Sequence, residues 1–180
     1  MQPITLKASR GALAALAAGI LMLGLAPQAM AAATTATVTV TGGSLSLTAP
    51  ATAGSLGTQT NTVDGATISG SLGQVVVDDA RSAAAGSGWV ASAISTAFTP
   101  TGGPTIGAAS VGYSAGPIAK VGTATFTAND PTALTGTVAA VTASGITGDN
   151  RATWNPTINV RVSGGMAAGV YSGTITHSVV

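Results

Sequence analysis

The stretch from residue 35 to residue 48 reads TATVTVTGGSLSLT. Its apolar residues alternate with Thr or Ser on both sides of the Gly42-Gly43 pair. Side chains of a β-strand point alternately to two opposite faces, so this pattern predicts two strands, each with one apolar and one hydroxylated face. Thr suits the outer face because it is β-branched.

The same period of two continues along the rest of the chain, interrupted by Gly, Pro, Asn and Asp. No segment after residue 31 shows an apolar stripe at helical spacing with capping residues. We expect an all-β fold, an antiparallel immunoglobulin-like sandwich or barrel of about eight to ten short strands. Further strands are predicted over residues 75–77, 89–96, 108–113, 123–128, 135–142, 158–162 and 170–180.

The composition excludes several classes of chemistry. Only 6% of the residues are charged, against about a quarter in ordinary globular domains. Because Lys and Arg are few and dispersed, we expect no nucleic-acid partner. The absence of Cys excludes disulfides, thiolate metal sites and cysteine nucleophiles. Nothing in the sequence indicates a cofactor, and aromatics at 3% predict a thin core of small side chains.

The first 31 residues have the pattern of a secretory signal peptide. Lys7 and Arg10 precede an apolar run over residues 11–27, and Ala29-Met30-Ala31 fits a small-x-small cleavage site. The alternative, a transmembrane anchor, is disfavoured because the run is shorter than about 20 residues and diluted by Ala and Gly. We therefore expect a secreted domain over residues 32–180, with a net charge of −1 and no membrane contact after cleavage.

One motif suggests a hydrolase. Residues 112–116 fit G-x-S-x-G around Ser114, and Asp130 or Asp149 followed by His177 gives the chain order of an α/β-hydrolase triad. That reaction needs a helix after the Ser, whereas Gly and Pro follow here. We expect no enzymatic activity, also because no Glu is present and the adjacent Asp78 and Asp79 point to opposite strand faces.

Metal binding has little support in the sequence. A single His and no Cys disfavour zinc and copper. Calcium stays open, because Asn129-Asp130 and Asp149-Asn150 supply oxygen atoms in turns. The alternative is that these side chains cap their own backbone, and no ligand string of the EF-hand kind is present. We expect no metal site.

Four motifs follow one another along the chain: Gly43 to Leu47, Val76 to Arg81 followed by Gly88-Trp89-Val90-Ala91, Phe98 with Ile106-Gly107-Ala108, and Gly169 to Thr176. Together they resemble the WxL domain, a family of surface domains of Gram-positive bacteria. The resemblance covers nearly all of residues 32–180 and implies an exported β-rich domain that attaches non-covalently to peptidoglycan. The first Trp-x-Leu position, at Trp89, has Ala in place of Leu, and the second, at residues 177–179, has no Trp.

Three residues are candidates for ligand binding: Trp154, Arg81 and Trp89. Small neighbours in register with Trp89 favour a buried ring, the alternative being a ring that stacks on a sugar. Arg81 can pair with Asp79 across a bulge or fix a loop over residues 82–88, or it can contact the wall. Trp154 precedes Asn155-Pro156, and since Pro cannot donate to a ladder we expect an edge strand with an exposed ring.

The signal-like N-terminus and the missing catalytic residues predict a secreted, non-enzymatic protein, and the resemblance implies that it is located on the cell wall with peptidoglycan as its partner. Other surface proteins or further copies of the chain are additional candidate partners. The alternative function is a structural subunit that polymerises into a surface layer or fibre. Low charge reduces repulsion between copies, and the Thr-rich arm over residues 34–41 could pair with an open strand edge.

Overall fold

The computed structural model describes residues 35–180, so the predicted signal peptide, its cleavage site and Thr34 lie outside the described residues. Residues 39–180 form one compact unit. Ten strands, numbered β1 to β10 in chain order, lie within the described residues: Leu45–Thr48, Ala66–Ser71, Val75–Ser95, Thr99–Pro100, Val111–Ser114, Ala119–Ala128, Val138–Trp154, Thr157–Val162, Tyr171–Ser172 and Ile175–Val179. A 3-10 turn, Ala108–Ser110, precedes β5.

The strands form two main antiparallel sheets. The larger sheet has the order β1-β3-β7-β6, and β10 pairs with β3 on the same edge as β1 but further along. The smaller sheet has the order β2-β8-β5. The short strands β4 and β9 pair with each other. The strands of residues 35–180 do not close into a barrel, so the all-β sandwich, one of the two predicted architectures, is confirmed.

The core lies between the two sheets and is built mainly of small side chains. Val75 and Val77 from β3, Val111 from β5, and Ile158 from β8 are fully buried. Large rings are few, as the composition predicts. Trp89 and Trp154 from the larger sheet and Tyr113 from the smaller one are each 2% exposed. These three rings fill space that the small aliphatic side chains leave open.

Strands β3 and β7 are much longer than predicted, with 21 and 17 residues. The predicted loop over residues 82–88 and the predicted turn at residues 148–150 both lie within these strands, so both predictions are wrong. The β3–β7 ladder shifts register between Asp79 and Ala83, between Ala83 and Ser87, and again before Trp89. These β-bulges absorb the Gly and Ser residues that the sequence presents as a loop.

Pro156 lies where the chain passes from one sheet to the other. Asn155 and Pro156 join β7 of the larger sheet to β8 of the smaller one. The carbonyl of Pro156 accepts a hydrogen bond from the N–H of Leu72 at 2.9 Å, and Leu72 lies on the connection between β2 and β3, which also joins the two sheets. Pro156 is therefore accommodated at a corner outside the ladders. The prediction that Trp154 occupies an exposed edge strand is wrong, because β7 lies between β3 and β6.

Residues 35–44 belong to no strand, so the strand predicted over residues 36–40 is wrong. The ladder from β1 to β3 ends where Gly43 N–H donates to the Ala80 carbonyl. Beyond it, Ser82 adopts a left-handed φ of 52°, and this bulge offers no straight edge for a longer strand. Val38 and Val40 are 87% and 80% exposed.

Two strands have no counterpart among the predictions, β2 and β4. The β2 sequence, ATISGS, has a short alternation interrupted by Gly70.

Between residues 35 and 180 we find no helix long and apolar enough to cross a bilayer.

Candidate functional site

Trp89 is the first member of a buried polar network. Its indole Nε1–H donates to Oδ1 of Asn150 at 3.1 Å, and Nδ2 of Asn150 donates to Oδ2 of Asp79 at 3.2 Å. Trp89 and Asn150 lie on neighbouring strands, where the register shifts let their side chains meet. The prediction that Trp89 is buried among small neighbours is confirmed, since Ala91 and Ala93 are also buried.

Arg81 completes this network from its outer side. Its Nε and Nη2 atoms donate to the two carboxylate oxygens of Asp79 at 2.8 and 2.9 Å, a bidentate geometry. The hydrogen bond from the Arg81 side chain is the main reason that the pKa of Asp79 falls below 3.8, although burial acts in the opposite direction. The pairing predicted between Asp79 and Arg81 is thus present.

Arg81 also ties down the segment that follows it. Nη2 donates to the carbonyl of Gly88 at 3.2 Å, and Oδ1 of Asp149 accepts from the Ser82 N–H at 2.8 Å. These bonds hold the bulged residues 82–88 at both ends. The guanidinium therefore serves the fold, and a contact between Arg81 and a wall ligand stays a prediction.

A second network surrounds Trp154 and crosses between the sheets. The Trp154 Nε1–H donates to the Tyr113 hydroxyl at 2.8 Å, and this hydroxyl lies 3.2 Å from Nε2 of His177. Because the hydroxyl accepts from Trp154, it can donate its own proton to Nε2 of neutral His177. Burial raises the pKa of Tyr113 to about 12 and lowers the pKa of His177 below 6.5.

Neither tryptophan offers a ring face for a sugar. Trp154 is as buried as Trp89, although the sequence predicts it to be exposed. Its position in a central strand and its bond to Tyr113 explain the difference. One sequence signal could have placed Trp154 inside: on a strand, Asn150 and Ala152 share its face, and both are buried.

Ser114 lies at the end of β5, and residues 115–118 form no helix. Oδ1 of Asp130 accepts from the Ala115 N–H at 2.7 Å, and Nε2 of His177 faces Tyr113. The G-x-S-x-G segment therefore lacks the strand-turn-helix geometry that exposes a nucleophilic Ser.

A cleft beside β6 is the most promising binding surface. It has a volume of about 330 Å³ and is lined by Gly116, Ile118, Lys120, Thr125, Phe126 and Ala128. Phe126 is partly exposed, and its ring centroid lies 5.6 Å from that of Trp89, which supports it from the core. Lys120 is exposed on the same strand, β6. The cleft thus combines an aromatic surface with one amine.

A smaller groove of about 230 Å³ is lined by residues 78–80, Val121 and residues 149–151. Its carboxylates already have partners within the protein: Asp78 pairs with Arg151, Asp79 with Arg81, and Asp149 with Ser82. Within residues 35–180, no three His or Asp side chains cluster closely enough to hold a metal ion. Asp130 and Asp149 accept from the N–H groups of Ala115 and Ser82, which belong to other segments of the chain and not to the Asp residues' own turns.

The four basic residues in the described part of the chain all lie on strands. Arg81, Lys120, Arg151 and Arg161 belong to β3, β6, β7 and β8. Arg161 donates to the carbonyls of Ala109 and Thr132 at 3.0 Å each. Lys120 is exposed, and its position in the cleft makes it the candidate for binding an anionic group.

The sequence analysis did not identify Phe126 and Lys120 as site residues. Phe126 stands in the alternation TATFTA, which predicts a strand but does not distinguish a core ring from a partly exposed one.

Comparisons with protein-family models, with curated proteins and with solved structures find no match for this chain.

Proposed function

We propose that this protein is a secreted, non-enzymatic surface protein that attaches non-covalently to the Gram-positive cell wall through peptidoglycan. The observation that carries the proposal is the cleft beside β6, where Phe126 and Lys120 lie on one surface. The signal-like N-terminus and the resemblance to WxL domains support the location.

The chemistry of the cleft fits a wall glycan. Sugar rings have apolar C–H faces that pack on aromatic side chains, and Phe126 presents such a ring. Peptidoglycan also carries carboxylates on its peptide stems, and an ammonium group binds a carboxylate by a charge-assisted hydrogen bond. We assign the stacking contact to Phe126 and the ionic contact to Lys120, in place of the buried Trp89 and Trp154.

Binding, and not turnover, is the activity that these residues support. Ser114 precedes a non-helical segment, and the His177 ring is engaged with Tyr113.

Co-sedimentation of the protein with purified peptidoglycan sacculi tests the proposal. We expect Lys120→Gln to weaken binding about tenfold, which corresponds to about 1.4 kcal/mol for one charge-assisted contact. Arg151→Gln is the matched control, because it removes another exposed cation that lies outside this cleft. We expect Arg151→Gln to bind like the wild type.

Three results would count against this function or this site. If the wild-type protein does not sediment with sacculi, the function is wrong. If both variants weaken binding equally, the attraction is unspecific charge and the cleft is not the site. If Lys120→Gln binds normally, the cleft is not the site either.

A further inference from the structure

The arm over residues 35–41 has the pattern of a strand but pairs with no strand among the residues that the structure describes. Its apolar residues alternate with Thr just as Leu45 and Leu47 alternate with hydroxylated residues in β1. Leu45 and Leu47 are half-buried against the core, whereas Val38 and Val40 are exposed. The arm therefore presents an apolar face and a full set of backbone hydrogen-bonding groups to any open strand edge.

The longest open edge in the described part of the chain belongs to β6. This strand has 10 residues and pairs with β7 alone. In the smaller sheet, β5 is partly covered, since its Tyr113 N–H donates to the Pro131 carbonyl. The β2 strand is shorter, with 6 residues, and the Leu56 carbonyl oxygen packs over its face at Gly70, 2.4 Å from where a Cβ would lie. Strands β1 and β10 are open but have only 4 and 5 residues.

An added strand beside β6 would also meet a matching surface. The inner face of β6 carries Phe126, which is in register with buried Ala143 of β7. Alternate side chains of a neighbouring strand lie next to each other on one face. Val38 and Val40 would therefore lie beside Phe126 as the next apolar row of the sheet, while the arm's threonines face solvent.

The arm cannot reach this edge within its own molecule. Gly43 is bonded to Ala80 beside β1, and β1 lies at the opposite edge of the sheet from β6. A strand beyond β6 lies four strand spacings from β1, about 19 Å, and seven extended residues span only about 23 Å. An arm that crossed the sheet would have almost no residues left to pair with β6.

We propose that residues 35–41 of one copy add as an extra strand to the β6 edge of a second copy. The arm follows from the β1 edge of the larger sheet and β6 is its opposite edge, so the contact is head-to-tail and repeats from copy to copy, in a ring or an open filament. The added strand would lie beside Phe126, which also lines the cleft, so the arm and the cleft share this part of β6. The inference does not depend on the wall ligand.

The first experiment measures mass against concentration for the full chain, produced in an exporting host. We expect the weight-average mass of the wild type to rise from one chain to several as concentration increases. The variant Val38→Asp/Val40→Asp should remain monomeric. Thr37→Asp/Thr39→Asp is the matched control, with the same charge on the opposite face of the same arm, and it should still associate.

A second experiment identifies the acceptor edge. The chain contains no Cys, so introduced cysteines are unique. A Thr39→Cys preparation is mixed under oxidising conditions with Thr123→Cys, Thr125→Cys or Thr127→Cys, which sample successive registers along β6. We expect a disulfide-linked heterodimer with at least one of them and none with Ser46→Cys on β1.

The proposal is overturned if the wild type stays monomeric, or if the Val38→Asp/Val40→Asp variant associates like the wild type. It is also overturned if Thr39→Cys links to Ser46→Cys and to no β6 position. Because these measurements need no peptidoglycan, failure of wall binding leaves them interpretable.

Discussion

The two tryptophans are equally buried but are stabilised by different chemistry. The indole N–H of Trp89 is bonded to Asn150, which leads to the Asp79–Arg81 ion pair and from there to solvent. The indole N–H of Trp154 is bonded to Tyr113, which leads to His177. One network is charged and crosses neighbouring strands, whereas the other is neutral and joins the two sheets.

The difference shows how a thin core can hold large rings. Buried N–H groups need hydrogen-bond acceptors, and small aliphatic side chains contain none. Each indole N–H is therefore bonded to a buried polar side chain, Asn150 for Trp89 and Tyr113 for Trp154. The charged network depends on an exact match of donor and acceptor, since an unpaired buried carboxylate is costly. In the neutral network, a change of one member should cost less free energy of unfolding, but protonation of His177 should weaken it.

The largest effect is expected for Trp154→Ala. Truncation of a buried Trp typically costs about 3–5 kcal/mol, and a domain of this kind has about 5–15 kcal/mol in total. We expect Trp154→Ala to unfold the domain or lower its denaturation midpoint as severely as Trp89→Ala does. Denaturant unfolding of both variants checks this. A Trp154→Ala protein that melts like the wild type would contradict the burial of this ring.

Next in size is the asymmetry of the ion pair. Arg81→Ala leaves the fully buried Asp79 carboxylate without its main partner and should cost about 3–5 kcal/mol. Asp79→Asn leaves a cation that is 37% exposed and can be hydrated, so its cost should be smaller, about 1–3 kcal/mol. Urea unfolding at neutral pH measures both.

Arg151→Ala is the control for this ion pair. It breaks the other Arg–Asp pair, with Asp78, whose side chains are 57% and 42% exposed. We expect the midpoint of Arg151→Ala to match that of the wild type. If Asp79→Asn destabilises the domain more than Arg81→Ala, the inferred role of the buried carboxylate is reversed.

A smaller loss is expected for Tyr113→Phe. The change keeps the ring but leaves the Trp154 N–H without an acceptor, which should cost about 1–3 kcal/mol. Thermal unfolding gives the loss, and Tyr171→Phe serves as control because its hydroxyl lies at the surface, bonded to the Ala167 carbonyl. Equal effects of the two substitutions would show that the Trp154–Tyr113 bond contributes nothing specific.

The smallest effect is a pH dependence that arises from His177. Burial lowers the pKa of His177 in the folded protein below 6.5, its ordinary value in the unfolded chain. At a pH between the folded pKa and 6.5, the unfolded chain therefore binds more protons than the folded protein. Stability should be complete above pH 6.5 and decline as the pH falls towards the folded pKa. Unfolding midpoints across this window should fall for the wild type and stay flat for His177→Gln.

Asp79 should add a second decline at lower pH. Its folded pKa lies below 3.8, so its contribution is present above that value and is lost as the pH falls through the folded pKa. A protein that becomes more stable on acidification from pH 6.5 would contradict the direction given for His177.

The fold class follows from the sequence because a period of two needs only a strand with two unlike faces. The burial of Trp89 and the pairing of Asp79 with Arg81 follow from local spacing for the same reason. The position of Trp154 does not, because Asn155-Pro156 is equally compatible with an edge strand and with a corner between sheets. Only the tertiary course of β7 and β8 distinguishes them.

The length of β3 and the state of the arm also depend on tertiary partners. Residues 82–88 have the composition of a loop, yet β7 and the bonds from Arg81 and Asp149 hold them in a bulged strand. Residues 35–41 have the composition of a strand, yet the bulge at Ser82 leaves them no edge to join. The cleft beside β6 cannot be predicted from the sequence either, because only the tertiary structure shows that Phe126 and Lys120 line one surface.

The placement of the four basic residues has a consequence for proteolysis. Trypsin cuts after Lys and Arg and needs an extended stretch of chain that is free of its neighbours. In the described part of the chain every such residue lies within a paired strand, whereas the arm and the loops contain none. Trypsin cleavage of residues 35–180 should therefore report opening of the sheets, and the most exposed segments should pass through digestion uncut.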